Sequence, residues 1–287
     1  MIIVKLKGGL GNQMFQYATG KAVSILNNTE LKLDKKWYSR NKKQDTYRKY
    51  SLNIFNLNPE FATQYDIVRI KTKDIFYNLG SFLFLKKGKR FYLKERKDTF
   101  EKTILNRKEA YLDGYWQSYK YFSGIKDSLH KDFKMNIKLT DENRDLKNEI
   151  ENSESVAVHV RRGDYISNEH IRKIFNVCDL NYYRKAMSYV SNNKLDPIFY
   201  IFSNDIKWTK KKFNNEYNLK FVEGNDAKVD FYLMKKCKNN IIANSSFSWW
   251  PAYLNRNKKK IVVAPKTWFK SENRSSENRV PENWIRL

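Results

Sequence analysis

Short apolar runs bounded by polar or glycine residues recur along this chain, and five of them predict β-strands. Each run is rich in β-branched or aromatic side chains. The predicted strands are 2–6, 156–160, 197–202, 240–243 and 261–264.

Between these runs, apolar residues recur at the spacing of one helix face. The first such helix follows Gly11-Asn12 and carries Met14, Phe15, Ala18, Ala22, Ile25 and Leu26. A second is predicted after Asp226, which can cap it, and a third after Ser248, with Pro251 in its first turn. Strands that alternate with helices predict an α/β fold whose parallel sheets are covered by helices.

The length of 287 residues is sufficient for two domains. The polar, charged segment 138–155 is the best boundary, and we therefore predict domains over 1–145 and 146–287. The segment 35–110 has no clear pattern, and no repeat of solenoid period occurs.

Composition excludes several classes of protein. Two cysteines provide no disulfide framework, and three scattered histidines provide no zinc site. The first residues form a strand pattern rather than a signal peptide, and no apolar run approaches the roughly 20 residues that span a bilayer. We expect a cytoplasmic protein, with contact to the inner face of the plasma membrane as an option.

The formal net charge of +25 favours an anionic partner. Charge alone does not identify that partner, and no recognisable nucleic-acid-binding module accompanies it. The segment 82–92 interleaves aromatic and basic residues. Docking on an anionic membrane and a solvated structural role both fit it.

Two adjacent arginines, Arg161 and Arg162, follow the predicted strand 156–160. Ligands of open α/β sheets gather beyond the carboxyl ends of strands, and guanidinium groups bind phosphate in a bidentate manner. The alternative is a strand end with solvated charges. Similar clusters of small polar residues at other strand ends favour a binding site.

The segment 8–13 (Gly-Gly-Leu-Gly-Asn-Gln) lies between the first strand and the first helix. It lacks the Gly-Lys-Ser/Thr ending of a Walker A loop and the glycine spacing of a dinucleotide site. Backbone N–H groups that approach an anion fit this pattern. A tight turn that uses glycine for positive φ fits it equally.

Three further segments place polar residues at turns. The segment 203–205 (Ser-Asn-Asp) suits hydrogen bonding to a ribose or a purine edge, or capping of a helix, and both can hold. The segment 244–248 suits an oxyanion pocket, or a capped helix whose following tryptophans fill the core. The segment 113–118 suits a sugar that stacks on aromatic rings, or a buried strand edge.

Taken together, these segments resemble the bacterial α-1,2-fucosyltransferases of glycosyltransferase family 11. The resemblance rests on residues 8–18, 113–118, 159–165, 202–205 and 244–250, in the order of the family. It runs nearly end to end and is weakest over 35–105. Pro251 departs from a position that is often glycine in the family, and we expect a local effect at the start of a helix.

The resemblance implies a GT-B architecture, in which two Rossmann-like domains face a cleft and the C-terminal domain holds the donor. It also implies GDP-β-L-fucose as donor, inverting transfer to a galactose 2-hydroxyl, and neither cofactor nor required metal. The absence of an Asp-x-Asp sequence agrees with the last point, since that pair is the usual metal bridge.

Site residues follow from the matched motifs. For catalysis we predict Arg161 and Arg162 as the groups that stabilise the leaving diphosphate, and Asp164 or Asp113 as the base. A base-free route, in which the departing phosphate takes the proton, stays open. Donor-binding residues are predicted to be Gly11, Asn12, Gln13, His159, Ser203, Asn204, Asp205, Asn244, Ser245, Ser246 and Phe247, and acceptor-side residues Trp116 and Gln117.

Two other functions remain open at the level of sequence. A transferase for another GDP-sugar, or for an α-1,3 or α-1,6 linkage, would share the arginine pair. A basic nucleic-acid-binding protein would explain the charge alone. The expected acceptor is a galactose-ended glycan on a lipid-linked surface polysaccharide, and milk-type or Lewis-type chains fit too.

Overall fold

The computed structural model describes residues 1–40, 48–73, 90–96, 99–213, 216–271 and 276–287. The chain forms two compact units, Met1–Lys134 and Met135–Leu287. Their boundary precedes the predicted 145/146 position. That position falls inside a helix, Asp141–Asn152, whose Ile150 packs into the core of the second unit.

The first unit contains a five-stranded parallel sheet in the order β3-β2-β1-β5-β4. Its strands are β1 Ile2–Lys5, β2 Leu31–Asp34, β3 Glu60–Phe61, β4 Tyr92–Lys94 and β5 Ala110–Asp113. Its helices are α1 Leu10–Leu26, α2 Lys36–Arg40, α3 over 64–73 and α4 Lys126–Asp132, with short 3₁₀ turns at Leu52–Ile54, Lys102–Asn106, Tyr119–Tyr121 and Ser123–Ile125.

The second unit contains a six-stranded parallel sheet in the order β11-β10-β9-β6-β7-β8. Its strands are β6 Ser155–Val160, β7 Ile198–Ser203, β8 Leu219–Val222, β9 Asn239–Ile241, β10 Val262–Ala264 and β11 Ile285–Arg286. Its helices are α5 Asp141–Asn152, α6 Gly163–Ser167, α7 Glu169–Ile174, α8 Leu180–Ser191, α9 Ile206–Lys212, α10 Ala227–Lys236 and α11 Ser246–Leu254.

If β6 is numbered 1 and the following strands 2 to 6, the second sheet, read from the β8 edge, has the strand order 3-2-1-4-5-6. This is the order of the dinucleotide-binding Rossmann fold. The chain reverses direction across the sheet between β6 and β9. In the first unit the corresponding reversal lies between β1 and β5. The prediction of two Rossmann-like α/β domains is confirmed.

The central strand β6 is buried along its whole length. Val156, Val158 and Val160 pack against α8 on one face, while Ala157 packs towards α10 on the other. A parallel strand covered on both faces is expected to be a continuous apolar run, and this explains why its sequence was easy to recognise.

The five predicted strands are confirmed, with ends that differ by one or two residues. The predicted helices after Gly11-Asn12 and Asp226 are also confirmed, and Asp226 caps the second by accepting hydrogen bonds from the N–H groups of Lys228 and Val229. The third helix begins at Ser246 rather than after Ser248, so that Pro251 lies in its second turn.

Most of the basic aromatic segment 82–92, namely 82–89, lies outside the described residues. Within the part of the chain that the structure describes, no helix combines the length and the apolar character needed to cross a bilayer.

Gly20 lies where α1 packs closely against the first sheet. An added Cβ there would overlap Val4 and lie 2.8 Å from the Leu31 side chain. We expect Gly20→Ala to destabilise the protein by about 1–3 kcal/mol, because overpacking outweighs the better helix propensity of alanine. Gly124→Ala is the control, since its Cβ would meet nothing within 4 Å. Equal urea denaturation midpoints for both variants would contradict this packing.

Candidate functional site

The carboxyl ends of β6 and β9 define the reversal point of the second sheet, where ligands of this fold bind. Residues 161–163 follow β6, and residues 242–246 follow β9 into α11. The loop after β7 lies next to the first of these. The structure therefore brings together three of the polar clusters that the sequence singled out.

Arg162 links the loop after β6 to the loop after β7. Its backbone N–H donates to Asn204 Oδ1 at 3.0 Å, and its Nε lies 3.6 Å from Asp205 Oδ2. Its guanidinium carbon lies 3.5 Å from the centroid of the Trp208 ring. The Arg162 guanidinium is thus covered on one face by the Trp208 ring and on one edge by the Asp205 carboxylate.

The 203–205 segment has a structural role at its own position. Asp205 accepts a hydrogen bond from the Trp208 N–H at 3.3 Å and caps α9, which confirms the capping interpretation. Ser203 Oγ accepts from the Asp205 N–H at 3.0 Å. An added Cβ at Gly163 would overlap the Asn204 amide, so glycine there allows the two loops to approach.

His159 is buried at the end of β6 and is 4% exposed. Burial, and then the positive charge of Arg161, lower the pKa of His159 to about 3. The imidazole is therefore neutral at pH 7 and keeps one nitrogen as a hydrogen-bond acceptor. Its ring lies 5.7 Å from that of Phe247.

Arg161 lies beside Tyr165, with 5.7 Å between the guanidinium carbon and the ring centroid. The Tyr165 hydroxyl donates to the Asn244 backbone oxygen at 2.9 Å. Tyr165 therefore joins the segment that carries Arg161 to the segment that follows β9.

Asn244, predicted to bind the donor, uses its amide to organise the protein. Its Nδ2 donates to the backbone oxygens of Asn176 at 2.6 Å and Trp268 at 2.9 Å. Both amide hydrogens are thereby used within the protein, and contact of Asn244 with the donor stays a prediction.

Ser245 caps α11 by accepting a hydrogen bond from the Phe247 N–H at 3.3 Å. Ser246 and Phe247 form the half-buried first turn of α11 at the sheet edge. Trp249 and Trp250 are fully buried, which confirms their predicted core role.

Asp230, in the first turn of α10, is a candidate residue that the sequence pattern did not reveal. Burial raises the pKa of Asp230 to about 7, against the smaller opposite effect of Asn225. Its buried Oδ1 has no hydrogen-bond partner within the described ranges. The ring of the neighbouring Phe231 packs 5.8 Å from that of Phe247 in α11, so the first turns of α10 and α11 lie close together.

The loops after β1 and β5 meet at the reversal point of the first sheet. Gln16 accepts a hydrogen bond from the Lys7 N–H at 3.0 Å and donates to the Gly114 oxygen at 3.1 Å. Asn12 Oδ1 accepts from Gln117 Nε2 at 2.6 Å. The predicted residues Asn12 and Gln117 are thus brought into direct contact.

The glycine segment 8–13 forms a tight turn before α1. Gly8 has a φ of +78°, which confirms the turn interpretation. Gln13 donates to the oxygens of Gly8 and Lys49 and accepts from the Ser51 N–H at 2.8 Å. The Gln13 side chain therefore holds the loop together, and Gly11 is buried in the first turn of the helix.

Asp113 lies at the end of β5 and accepts hydrogen bonds from Lys5 at 2.8 Å, Lys7 at 3.2 Å and the Tyr92 hydroxyl at 2.6 Å. Burial alone would raise its pKa, but the Lys5 and Tyr92 hydrogen bonds and the charge of Lys7 lower the pKa to about 2. These contacts disfavour Asp113 as a general base at neutral pH.

Trp116, predicted on the acceptor side, is only 1% exposed and has a φ of +53°. The Glu95 carboxylate accepts hydrogen bonds from the backbone N–H groups of Tyr115 at 2.6 Å and Trp116 at 2.8 Å, which holds this turn. A ring so deeply buried offers no face on which a sugar could stack, and an acceptor-side role of Trp116 stays a prediction. Tyr115 is the exposed aromatic of the turn, with Lys7 Nζ 4.7 Å from its centroid.

The backbone of Asp164 belongs to α6, but its side chain is not among those that the structure describes. Across the ranges that the structure describes, no cluster of three or more histidine, cysteine, aspartate or glutamate residues is arranged to hold a metal ion. The sequence alone missed the supporting side chains Lys5, Tyr92, Glu95 and Trp208, because each becomes a neighbour of a motif only through the fold.

A family model described as glycosyl transferase family 11 matches residues 1–287. An α-1,2-colitosyltransferase of Escherichia coli is 37% identical over 295 residues, which cover 100% of this chain and 99% of the relative. The O-antigen biosynthesis glycosyltransferase WbnK of Escherichia coli is 35% identical over 303 residues, with coverages of 98% and 99%.

Human galactoside α-(1,2)-fucosyltransferase 1 is 27% identical over 154 residues, which cover 50% of this chain and 42% of that protein. Among solved structures, the fucosyltransferase NodZ from Bradyrhizobium is 12% identical with a TM-score of 0.46, and the alignment covers 87% of this chain and 91% of NodZ.

From the contacts of Asp113 we predict that the stability of the protein depends on pH. Its folded-state pKa lies below the ordinary value of 3.8, so its stabilising effect is complete above that value and is lost as pH falls towards 2. We expect the free energy of unfolding of the wild type, relative to Asp113→Asn, to fall by about 1 kcal/mol between pH 5 and pH 3.

Urea denaturation at each pH measures this difference. Asp127→Asn, which removes an exposed carboxylate at the start of α4, is the matched control. A difference that stays constant over the same pH range would show that the lysine and tyrosine contacts do not lower the Asp113 pKa.

Proposed function

The chain belongs to glycosyl transferase family 11, and we propose that it transfers L-fucose from GDP-β-L-fucose to the 2-hydroxyl of a galactose-containing glycan, with inversion at the anomeric carbon. The observation that carries this proposal is the arginine pair at the reversal point of a Rossmann-ordered sheet. The α-1,2 linkages in the names of the colitosyltransferase and the human fucosyltransferase support the linkage.

The two arginines have different roles in this proposal. Trp208 and Asp205 already hold the Arg162 guanidinium, so Arg162 is a positioning residue that joins two loops. Arg161 is the residue that binds the β-phosphate of the donor. A guanidinium fork matches two phosphate oxygens and stabilises the charge that grows as GDP leaves.

The first turn of α11 supplies further stabilisation. Its N–H groups lie at the carboxyl edge of the sheet, next to the predicted donor residues Ser245 and Ser246. The N-terminus of a helix favours an anion through its orphan N–H groups and its dipole. We assign this turn to the diphosphate.

The nucleoside end requires hydrogen-bond acceptors, since guanine presents N–H donors at N1 and at its 2-amino group. Neutral His159 is one acceptor, and Asp230 Oδ1, which has no hydrogen-bond partner among the described residues, is another. A carboxylate that accepts both guanine donors would discriminate against adenine. We therefore add Asp230 to the donor-binding residues.

The reaction that we propose is a single displacement. The galactose O2 attacks C1 of fucose, the bond from C1 to the β-phosphate oxygen breaks, and GDP leaves with the electron pair. The proton of the attacking hydroxyl passes to Asp164 or to the leaving phosphate. Asp113 is the less favoured candidate, because its hydrogen bonds to Lys5, Lys7 and Tyr92 stabilise the carboxylate and lower its pKa.

We also propose that transfer requires no metal ion. Arg161 and the first turn of α11 supply the positive potential that a divalent cation provides in metal-dependent transferases. The sequence contains no Asp-x-Asp pair.

Replacement of Arg161 tests the core of the mechanism. We expect Arg161→Ala to lower kcat/KM by at least about 10²–10³, and Arg161→Lys to recover little, because an ammonium group cannot make the bidentate contact. The measurement is transfer of fucose to lactose, followed by mass spectrometry, in buffer with EDTA.

The matched control is Arg172→Lys, which changes an exposed arginine on α7. Wild-type activity that vanished with EDTA and returned with manganese would contradict metal independence. An Arg161→Lys variant with more than about half of the wild-type turnover would contradict the bidentate role.

Transfer of colitose is the second candidate function, because the chain is 37% identical over its full length to an α-1,2-colitosyltransferase. Colitose is fucose without the 3-hydroxyl. A site built to hydrogen-bond that hydroxyl rejects a donor that lacks it by about 10⁴–10⁵, whereas an apolar pocket rejects an added hydroxyl by only about 10².

The ratio of kcat/KM for GDP-fucose to that for GDP-colitose therefore distinguishes the two functions. For a fucosyltransferase we expect a preference of about 10⁴ or more for GDP-fucose. A preference for GDP-colitose, with residual use of GDP-fucose, would assign the colitosyl function instead. Both donors should be assayed with the same acceptor.

The biological acceptor that we propose is a lipid-linked repeat of a surface polysaccharide. The relative named as an O-antigen biosynthesis glycosyltransferase supports this assignment. Contact of the protein with an anionic membrane surface belongs to the same proposal and has the net charge of +25 as its support.

A further inference from the structure

A cavity of about 430 Å³ lies in the first unit, at the carboxyl ends of β1 and β2 and beneath α2 and α3. This volume lies within the range of about 300–1,000 Å³ that is typical of small-molecule sites. Polar and charged side chains make up most of its described lining, namely Lys5, Asp34, Lys36, Gln64, Lys71, Thr72 and Tyr111, and the apolar part is formed by Trp37, Ile67 and Val68.

Asp34 is the polar group at the floor of this cavity and is 6% exposed. One of its oxygens accepts a hydrogen bond from the Tyr111 hydroxyl at 2.7 Å, and the other accepts from the Lys36 N–H at 2.9 Å. Each carboxylate oxygen can accept a second hydrogen bond. Asp34 thus offers two acceptor positions to a ligand that carries hydroxyl groups.

Asp34 also has no ion-pair partner among the cations of the described ranges, although buried carboxylates are usually paired. The nearby Lys5 pairs with Asp113 instead, and Lys36 Nζ bonds to the Gln64 side chain. A buried carboxylate that is supported by neutral donors suits a neutral, hydroxyl-rich ligand.

The wall of the cavity supplies the apolar surface that a sugar ring requires. Trp37 at the start of α2 is half-buried, and Ile67 and Val68 line the cavity from α3. A pyranose has an apolar face of C–H groups and a rim of hydroxyls. An aromatic ring and a carboxylate in the same cavity provide one partner for each part.

A second cavity of the first unit provides a comparison, with a volume of about 470 Å³. It is lined by Thr29 and Leu31 at the amino end of β2, away from the edge at which ligands of this fold bind. Its acidic lining residue, Glu60, is exposed. Of these two cavities, the one at Asp34 has the features of a sugar site.

We propose that the cavity at Asp34 is an acceptor subsite that binds a pyranose residue of the acceptor glycan. Asp34 accepts hydrogen bonds from two hydroxyls of the sugar, and Trp37 covers its apolar face. This assignment rests on the proposed glycosyltransferase function and specifies which side chains of the first unit recognise the acceptor.

Saturation-transfer NMR with lactose, in the absence of donor, tests the subsite directly. We expect wild-type protein to saturate lactose protons, and Trp37→Ala and Asp34→Asn each to weaken lactose binding by about tenfold, which corresponds to about 1.4 kcal/mol. The affinity for GDP, measured by calorimetry, should remain within twofold of wild type. The matched control is Tyr65→Ala, which removes a 74% exposed aromatic side chain of α3 that does not line the cavity.

Absence of saturation transfer to lactose in the wild type, or equal transfer in both cavity variants, would overturn the proposal. Asp34→Asn preserves the shape of the side chain, so it keeps the test valid if Trp37→Ala unfolds. A wild-type protein that binds lactose at this cavity but transfers sugar from no GDP-sugar would instead refute the proposed reaction. Transfer with a lactose KM that both variants leave unchanged would refute the subsite alone.

Discussion

A parallel strand that is buried on both faces has no place for charge along its length, so charged side chains can begin only where the strand ends. This constraint organises the second unit. β6 is buried from Ser155 to Val160, and the next two residues are arginines. The order of the sheet places β9 directly beside β6, so two loops that are distant in sequence share one edge. The remaining polar residues of the site extend or support this junction.

The loops of the site are held by side chains that hydrogen-bond to the backbone of neighbouring loops without any ligand. Asn204 accepts from the backbone of Arg162, and Asn244 connects two backbone carbonyls with its amide. In the first unit, Gln13 and Gln16 do the same for the glycine turn. Residues that look like ligand contacts in a motif are thus often fixing the loops. This arrangement limits the reorganisation that the reaction requires.

An element is easier to predict from sequence when both of its faces are buried. β6 and β7 were evident because helices cover both faces, whereas β2 alternates leucine with lysine and aspartate over only four residues and was missed. The arginine pair was identified because it is contiguous with a strand. Asp230 lies inside an ordinary amphipathic helix, and only the packing of α10 against α11 brings it to the site. Asp34 was missed for a similar reason, since its partner Tyr111 comes from a strand 77 residues away.

The contrast between His159 and Asp230 has a thermodynamic consequence. The pKa of His159 is about 3, so this group exchanges no proton with solvent near neutrality, whereas the pKa of Asp230 is about 7 and its carboxyl is divided between two protonation states there. In the proposed complex guanine selects the ionised form of Asp230. Nucleotide capture would then release a fraction of a proton into the medium, and the heat of binding would vary with the ionisation enthalpy of the buffer.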